Sequence, residues 1–343
     1  MAESEAKNSK CRIVVDAMGG DYAPQNAVVG AIDAYKEKKD FQLYLVGKKQ
    51  EILSVLMSNN ISFDEKFIIN ADEIIEMSDS PTSALKSKPN SSIVKGAQFV
   101  KDGKADAFVS AGNTGSMMSA STLIMGRIPG VGRPTIGAEM PNVNGLCYLY
   151  DVGAGKDAKP SHLFEYAVMG TIYAKEMGGI QNPSVGLLSM GEEQGKGNDV
   201  SNEAYKLLKD SNINFIGNVE GRDIMTKQVD IVVCDGFVGN IILKFGESVP
   251  KLLKHLLTQT AETSFLDKLK VGLSKGTLKK SLKSLDYQEH GGVPLLGVNG
   301  ISIIGHGSSS TKAIKNMVLK AREMYNKDLI KMIENSIKQY SQK

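Results

Sequence analysis

The amino-acid sequence predicts an α/β protein in which helices cover both faces of a mainly parallel sheet. Short apolar runs that resemble strands alternate with longer amphipathic runs that resemble helices. A polar loop containing glycine follows six of the seven strand-like runs. Both features are typical of a three-layer α/β/α sandwich, in which crossover helices connect parallel strands.

The predicted strands are short apolar runs, and helix-like stretches lie between most of them. In chain order they cover residues 12–15, 41–46, 106–109, 146–150, 184–188, 231–233 and 301–304. No repeat of fixed period and no linker rich in proline or serine divides the sequence. We therefore predict a flexible polar tail at residues 1–10 and a single domain over residues 11–343.

Composition narrows the functional class. The 343 residues, 41% of them apolar, are enough to bury a full core. The 41 basic and 38 acidic side chains leave a charge of +3, which argues against nucleic acid as a partner. Three scattered cysteines fit neither a disulfide framework nor a zinc ribbon. Because no apolar run reaches about 18 residues, we expect a cytoplasmic protein without a signal peptide or membrane span.

The six glycine loops are the most informative pattern. They are DAMGGD (16–21), SAGNTGS (110–116), DVGAGKD (151–157), SMGEEQGKGND (189–199), CDGFVGN (234–240) and GHGSSS (305–310). Any one of them could be a tight turn between a strand and a helix. In a parallel sheet, however, all six would lie at the carboxyl ends of the strands, where α/β folds bind ligands. We therefore expect the loops to converge on one pocket for an anion.

The standard nucleotide and metal motifs do not occur in these loops. The pairs Gly155-Lys156 and Gly195-Lys196 lack both the upstream glycine and the following hydroxyl of a P-loop. The first strand is not followed by G-x-G-x-x-G, and the four histidines are too dispersed for HExxH-type zinc binding. We therefore predict neither a cofactor nor a metal. An anion pocket without a protein nucleophile suits a reaction in which bound phosphate itself attacks.

Eight segments, spread over about residues 11–320, carry a family resemblance. They are IVVDAMGGDYAP, FVSAGNTGSMMSA, GRIPGVGRP, GLLSMGEEQGKGN, NFIGNVEGRDI, VVCDGFVGNIILK, DYQEHGG and PLLGVNG. In this order they resemble the bacterial phosphate acyltransferases of the PlsX family. That family usually has asparagine where this chain has Gly155, and cysteine where it has Ala158.

The resemblance implies transfer of a fatty acyl group from an acyl-carrier-protein thioester to inorganic phosphate. The product would be an acyl phosphate, which supplies the acylation of glycerol 3-phosphate in phospholipid synthesis. The resemblance also implies a fold like that of isocitrate and isopropylmalate dehydrogenases, and a homodimer.

Lys196 and Asn198 are the first catalytic candidates. They follow two acidic residues on a loop that opens a helix, where they can offer a cation and an amide to phosphate or to an oxyanion. From the residues alone, Lys196 could equally be a surface lysine at a helix start.

Three further catalytic candidates come with structural alternatives. Asn113 could donate to a carbonyl or phosphate, or it could be a turn asparagine, and the same holds for Asn240 among the phosphate ligands. Asp235 could handle a proton at the leaving sulfur or cap the next helix. His306 could be catalytic or a satisfied buried histidine. The predicted substrate and phosphate ligands are Asp16, Gly19, Gly20, Asp21, Gly112, Thr114, Gly115, Gly197, Gly236, Asn240, Gly307 and Ser308.

A basic amphipathic helical hairpin is predicted to protrude at residues 248–287, with its two helices joined near 269–276. Residues 251–287 contain eight lysines but only three acidic residues, which favours contact with an acidic carrier protein or anionic lipid. Alternatively, the hairpin leucines could pack on a dimer mate. The resemblance favours peripheral attachment to the inner face of the plasma membrane. The predicted contact residues are Phe265, Leu266, Leu269, Val271, Leu273, Lys279 and Lys280.

Two other functions stay open at this point. A phosphotransacetylase of the same broad fold would use short acyl-CoA and would need no basic hairpin. A non-enzymatic scaffold for a carrier protein or membrane would need only the hairpin, and would leave the six glycine loops without a role.

Overall fold

Strands and helices alternate along the chain, as the sequence predicts. The computed structural model describes residues 10–281 and 291–341, so most of the predicted tail lies outside it. The described strands are β1 Cys11–Asp16, β2 Phe41–Gly47, β3 Ile68–Asn70, β4 Ala107–Ser110, β5 Thr135–Asn142, β6 Gly145–Tyr150, β7 Val185–Leu188, β8 Phe215–Val219, β9 Ile231–Val233, β10 Val293–Leu296 and β11 Ile301–Ile304. All seven predicted strands are among them.

The described helices include one 28-residue helix and several short ones. They are α1 Gln25–Glu37, α2 Lys49–Ser58, α3 Pro81–Ser87, α4 Ser92–Lys101, α5 Thr114–Ala120, α6 Pro160–Glu176, α7 Asp199–Lys209, α8 Asp223–Thr226, α9 Gly236–Thr263, α10 Phe265–Ser281, α11 Thr311–Asn326 and α12 Leu329–Ser341. A 3₁₀ turn covers Glu65–Phe67, and a π-helical turn, Ser121–Met125, extends α5.

Helices cover both faces of the sheet, which confirms the predicted three-layer arrangement. On β1, Ile13 and Val15 pack into a core formed with α1, α2, α6, α11 and α12, whereas Val14 faces the core formed with α4 and α5. On β4 the same alternation places Phe108 on one face of the sheet and its chain neighbours Ala107 and Val109 on the other. Because both faces are buried, the central part of β1, β4 and β9 is apolar on both faces.

The two halves of the sheet run in opposite directions. The strand order is β3-β2-β1-β4-β11-β10-β5-β6-β9-β7-β8. Neighbouring strands are parallel from β3 to β11 and again from β6 to β8, but the pairs β11–β10, β10–β5 and β5–β6 are antiparallel. Three reversals leave β6, β7, β8 and β9 antiparallel to β1, β2, β3, β4 and β11. The sheet is therefore mixed, although most pairs are parallel.

This reversal shows that the expected convergence of all six glycine loops is wrong. The loops after β1, β4 and β11 (16–21, 110–116 and 305–310) lie at one edge of the sheet, which we call the β1 edge. The loops after β6, β7 and β9 (151–157, 189–199 and 234–240) lie at the opposite edge, the β6 edge. A strand of four residues, such as β4, is about 13 Å long at about 3.3 Å per residue. The two edges are therefore separated by at least about this length.

Helices α9 and α10 pack against each other as the predicted hairpin, but they join elsewhere than predicted. The break is at Ser264, not within 269–276, which lies inside α10. Ser264 Oγ accepts a hydrogen bond from the backbone N–H of Asp267 and donates one to its carboxylate, at 3.1 and 2.7 Å. These reciprocal bonds start a new helix, and the glycines of α10 are tolerated inside it. Residues 282–287 and the side chains of Lys279 and Lys280 lie outside the described residues.

A buried carboxylate shapes the loop that follows β6. The side chain of Asp151 is fully buried. Its Oδ1 accepts from the backbone N–H groups of Ile136, Gly153 and Ala154 at 3.0–3.3 Å, and its Oδ2 accepts from Gly155 at 2.9 Å. Burial raises the pKa of Asp151, and these hydrogen bonds oppose the rise. The carboxylate therefore ties the loop to the first residues of β5.

We expect Asp151→Asn to lower the free energy of unfolding by about 1–3 kcal/mol, because the amide N–H₂ would face a backbone N–H donor in a buried site. Chemical denaturation followed by circular dichroism measures this loss. Asp157→Asn is the matched control, because Asp157 is an exposed residue of the same loop and should change stability by less than about 0.5 kcal/mol. Equal stabilities for the two variants would contradict the proposed role of Asp151.

Candidate active site

The β1 edge also contains a buried carboxylate, and contacts between its own loops satisfy it. Asp16 Oδ2 accepts a hydrogen bond from Ser110 Oγ at 2.7 Å, and Oδ1 accepts one from the backbone N–H of Met18 at 3.0 Å. Burial raises the pKa of Asp16, and hydrogen bonds from serine side chains oppose that rise. Asp16 therefore holds the loop after β1 against the loop after β4.

Glycines at the β1 edge allow the loops to pack closely on one another. A Cβ atom on Gly19 would lie 2.6 Å from the backbone nitrogen of Gly112. Gly20 has φ +104° and would bring a Cβ to 3.0 Å from the carbonyl oxygen of Gly307. The N–H of Asp21 donates to the same oxygen at 2.7 Å. These glycines therefore serve contacts between loops.

Asn113 is fully engaged in structural contacts. Its Oδ1 accepts from the N–H of Ser116 at 2.9 Å and caps α5, which begins at Thr114. Its Nδ2 donates to the carbonyl oxygens of Glu76, Met77 and Asp79 at 3.0–3.1 Å. Donation to a substrate would require these bonds to break.

His306 and Ser308 contact each other at the same edge. His306 Nδ1 lies 2.8 Å from Ser308 Oγ, and His306 is exposed, so the alternative of a buried histidine is wrong. A Cβ on Gly115 would lie 2.5 Å from Cγ of Pro81, at the start of α3. The structure thus brings the predicted ligands of the β1 edge together, but apart from Lys196.

The remaining candidates lie at the β6 edge. Asp235 caps α9, because its Oδ1 accepts from the N–H groups of Phe237 and Val238 at 3.0 Å. A Cβ on Gly236 would lie 2.6 Å from Asp151 Oδ2, so only glycine allows α9 to start against the β6 loop. Asn240 is exposed, and its side chain lies beside Gly153 of that loop.

Lys196 and Asn198 lie on the loop after β7, and both are exposed. Asn198 Oδ1 accepts from the N–H and the hydroxyl of Ser201, both at 2.9 Å, and thereby caps α7. Its Nδ2 has no partner within the described part of the chain, and the ammonium of Lys196 has no ion-pair partner there. Gly197 lies between them and packs beside Ser201. This loop therefore presents a cation and an amide donor to solvent.

The β6 edge is also electrostatically suited to an anion. Helices α6, α7 and α9 all begin there, so the positive ends of three helix dipoles lie at this edge. The first turns of α6 and α9 contain no acidic residue, whereas the first turn of α7 contains Asp199. Adjacent strands lie about 4.8 Å apart, so the loops after β6, β9 and β7 are close neighbours.

Sequence reasoning gave no role to two residues of this edge, Asp151 and Arg133. The half-buried Arg133 donates from Nη1 to the carbonyl oxygen of Asp157 at 2.6 Å. A Cβ on Gly155 would lie 2.5 Å from the guanidinium carbon of Arg133. Because Gly155 has no side chain, the guanidinium of Arg133 can pack at this position. The signal for Asp151 was that it opens a glycine loop directly after a strand-like run, as Asp16 does, whereas Arg133 lies outside the six glycine loops.

Comparison with known proteins identifies the family of this chain. The sequence matches the fatty acid synthesis protein family over residues 11–332. It is 46% identical to the "Phosphate acyltransferase" of Halothermothrix orenii over 328 residues, covering 95% of this chain and 98% of that protein. The "Phosphate acyltransferase" of Pelotomaculum thermopropionicum is 47% identical, with 95% of each chain covered.

A solved structure supports the fold. The EutD phosphotransacetylase from Staphylococcus aureus is similar with a TM-score of 0.60 at 16% identity, covering 92% of this chain and 94% of that one. At this identity the likeness concerns the α/β fold, which it confirms. The match over residues 11–332 and the high identity to full-length relatives show that this chain belongs to the fatty acid synthesis protein family.

Proposed function

We propose that this protein transfers a fatty acyl group from an acyl-carrier-protein thioester to inorganic phosphate at the β6 edge. The observation that carries the proposal is the exposed pair Lys196 and Asn198 beside three helix N-termini, in a chain whose relatives are named phosphate acyltransferases. The acyl phosphate would supply the acylation of glycerol 3-phosphate in phospholipid synthesis.

In this reaction a phosphate oxygen attacks the thioester carbonyl carbon and forms a tetrahedral oxyanion. The carbon–sulfur bond then breaks, and the thiolate of the carrier leaves and takes up the proton that the attacking hydrogen phosphate loses. The chain must hold phosphate close to the carbonyl and stabilise the oxyanion, and it needs no covalent intermediate of its own.

The residues of the β6 edge divide these tasks. Lys196 offers its ammonium to phosphate and to the oxyanion, while Asn198 Nδ2 and Asn240 offer amide donors. Asp235 uses Oδ1 for the helix cap, so Oδ2 is the oxygen that can take part in proton transfer to the sulfur. Gly197 and Gly236 let the backbone approach the anion.

The candidates at the β1 edge have a different part in this proposal. Asp16 and Asn113 use their polar atoms in contacts between loops. They lie at the opposite edge of the sheet from Lys196, at least the length of a strand, about 13 Å, from the β6 edge. We assign them the task of fixing the first half of the sheet and the start of α5. His306 and Ser308 contact each other at the β1 edge, so we place neither of them in the reaction site.

Replacing Lys196 tests the site. With palmitoyl-carrier protein and phosphate, the wild type should release free thiol and form hydroxylamine-sensitive acyl phosphate in equal amounts. Lys196→Ala should lower kcat by about 10²- to 10³-fold, as expected for loss of one charge-stabilising donor. Lys206→Ala, at an exposed lysine of α7, is the matched control and should keep wild-type activity.

Three outcomes would count against this account. Full activity in Lys196→Ala would exclude Lys196 as a catalytic residue. A preference for acyl-CoA over the carrier protein would favour a phosphotransacetylase. No thiol release from either donor would remove the enzymatic proposal and leave a scaffold.

The hairpin of α9 and α10 is the basis for two proposals, a homodimer and contact with a membrane. Within residues 10–281 and 291–341, no helix is both long and apolar enough to cross a membrane. Helix α9 nevertheless exposes an apolar stripe, whose members are Phe237, Ile241, Phe245, Leu252 and Leu256. We assign this stripe to a second copy of the chain, since exposed apolar surface of this extent is typical of an interface.

The junction of the hairpin suits an anionic membrane surface. Phe265 is 80% exposed, Leu266 65%, Leu269 53% and Leu273 77%, and the half-buried Val271 also lies on α10. Lysines 268 and 270 lie among them. An apolar tip with flanking cations is the pattern of peripheral membrane attachment. The protein would then be cytoplasmic and bound to the inner face of the plasma membrane.

Charge substitutions at the tip test this attachment. The double variant Phe265→Glu, Leu266→Glu should bind anionic vesicles at least about tenfold more weakly, because two large apolar side chains no longer insert. Thr258→Glu with Gln259→Glu adds the same charge to α9 but keeps the apolar tip, and should lose less binding. Analytical ultracentrifugation should give a dimer for all three proteins. Equal losses of binding in both variants would contradict insertion of the tip, and a monomeric wild type would contradict the dimer.

A further inference from the structure

A cavity of about 220 Å³ lies next to the β6 edge. Its walls come from α5, the π-helical turn, the residues just before β5, the β6 loop and β10. They include Met118, Ser119, Leu123, Arg133, Ala154 and Leu295. Ala154 directly follows Gly153, which packs beside Asn240, so the cavity adjoins the proposed reaction site.

The cavity combines apolar walls with one charged group. Met118, Leu123 and Leu295 provide hydrocarbon surface, and Arg133 is the charged residue among its lining side chains. Arg133 donates from Nη1 to Asp157, and no carboxylate within the described residues forms an ion pair with its guanidinium. This arrangement fits a ligand that is both anionic and aliphatic.

Leu123 contributes exposed apolar surface to the cavity. It is 64% exposed at the rim of the cavity, on the π-helical turn that extends α5. Turns of this type are frequent at functional sites, because they redirect side chains out of the regular helix. An alkyl chain in the cavity would cover Leu123 and remove its apolar surface from water.

From these observations we propose that the cavity binds the first methylene groups of the acyl chain, with Arg133 at the carbonyl and phosphate end. The inference rests on the proposed function and specifies its substrate. Sites that enclose a whole drug-sized ligand measure about 300–1,000 Å³. The cavity is smaller, so it takes a segment of the chain and leaves the remainder outside.

Binding of alkylphosphonates tests this proposal without requiring turnover. Each methylene that becomes buried strengthens binding by about fourfold. By titration calorimetry the wild type should therefore bind dodecylphosphonate at least about tenfold more tightly than butylphosphonate. Ser119→Phe fills the cavity and should abolish this preference, whereas Ser119→Ala should keep it. Leu123→Asn removes part of the apolar rim at an exposed position and should reduce the preference without affecting folding.

The outcomes separate this inference from the proposed function. Equal affinities for both phosphonates in the wild type, or an unchanged preference in both Ser119→Phe and Leu123→Asn, would overturn the cavity assignment. If Ser119→Phe does not fold, as judged by thermal melting, the Leu123→Asn result decides. A protein that shows the preference and loses it in the variants, yet releases no thiol from an acyl donor, would support the cavity and contradict the proposed reaction.

Discussion

The buried carboxylate of Asp151 is the interaction on which the β6 edge depends. It holds four backbone N–H groups, three in its own loop and one at the start of β5. The first turn of α9 packs directly on it, since neither Gly236 nor Gly239 leaves room for a side chain there. One side chain thus fixes the β6 loop, the antiparallel strand β5 and the helix that carries Asn240.

The reversal of strand direction determines which residues can act together. The β1 edge resembles the β6 edge in having a buried aspartate and glycine loops, but its polar atoms are used within the edge. The β6 edge leaves a cation and amide donors exposed next to three helix N-termini. The difference lies in which polar groups remain available to a ligand, and it favours the β6 edge as the reaction site.

Local sequence patterns predicted the layers, seven strands and the hairpin, but not the strand direction. Four strands were missed, β3, β5, β8 and β10. Two of them, β5 and β10, contain Pro141 and Pro294, and proline is rare in strands inside a sheet. These two strands reverse the sheet, so missing them led to the expectation of a single loop edge. Similarly, Lys196 could be chosen from its loop, whereas Arg133 reaches Gly155 only through the fold.

Hydrogen–deuterium exchange with and without inorganic phosphate tests most directly whether chemistry is confined to the β6 edge. The account predicts slower exchange in residues 151–157, 191–199 and 235–240, with residues 16–21, 110–116 and 305–310 unchanged. Protection of the β1 edge alone would contradict this account, because phosphate would then bind at the opposite edge of the sheet from Lys196, at least about 13 Å away.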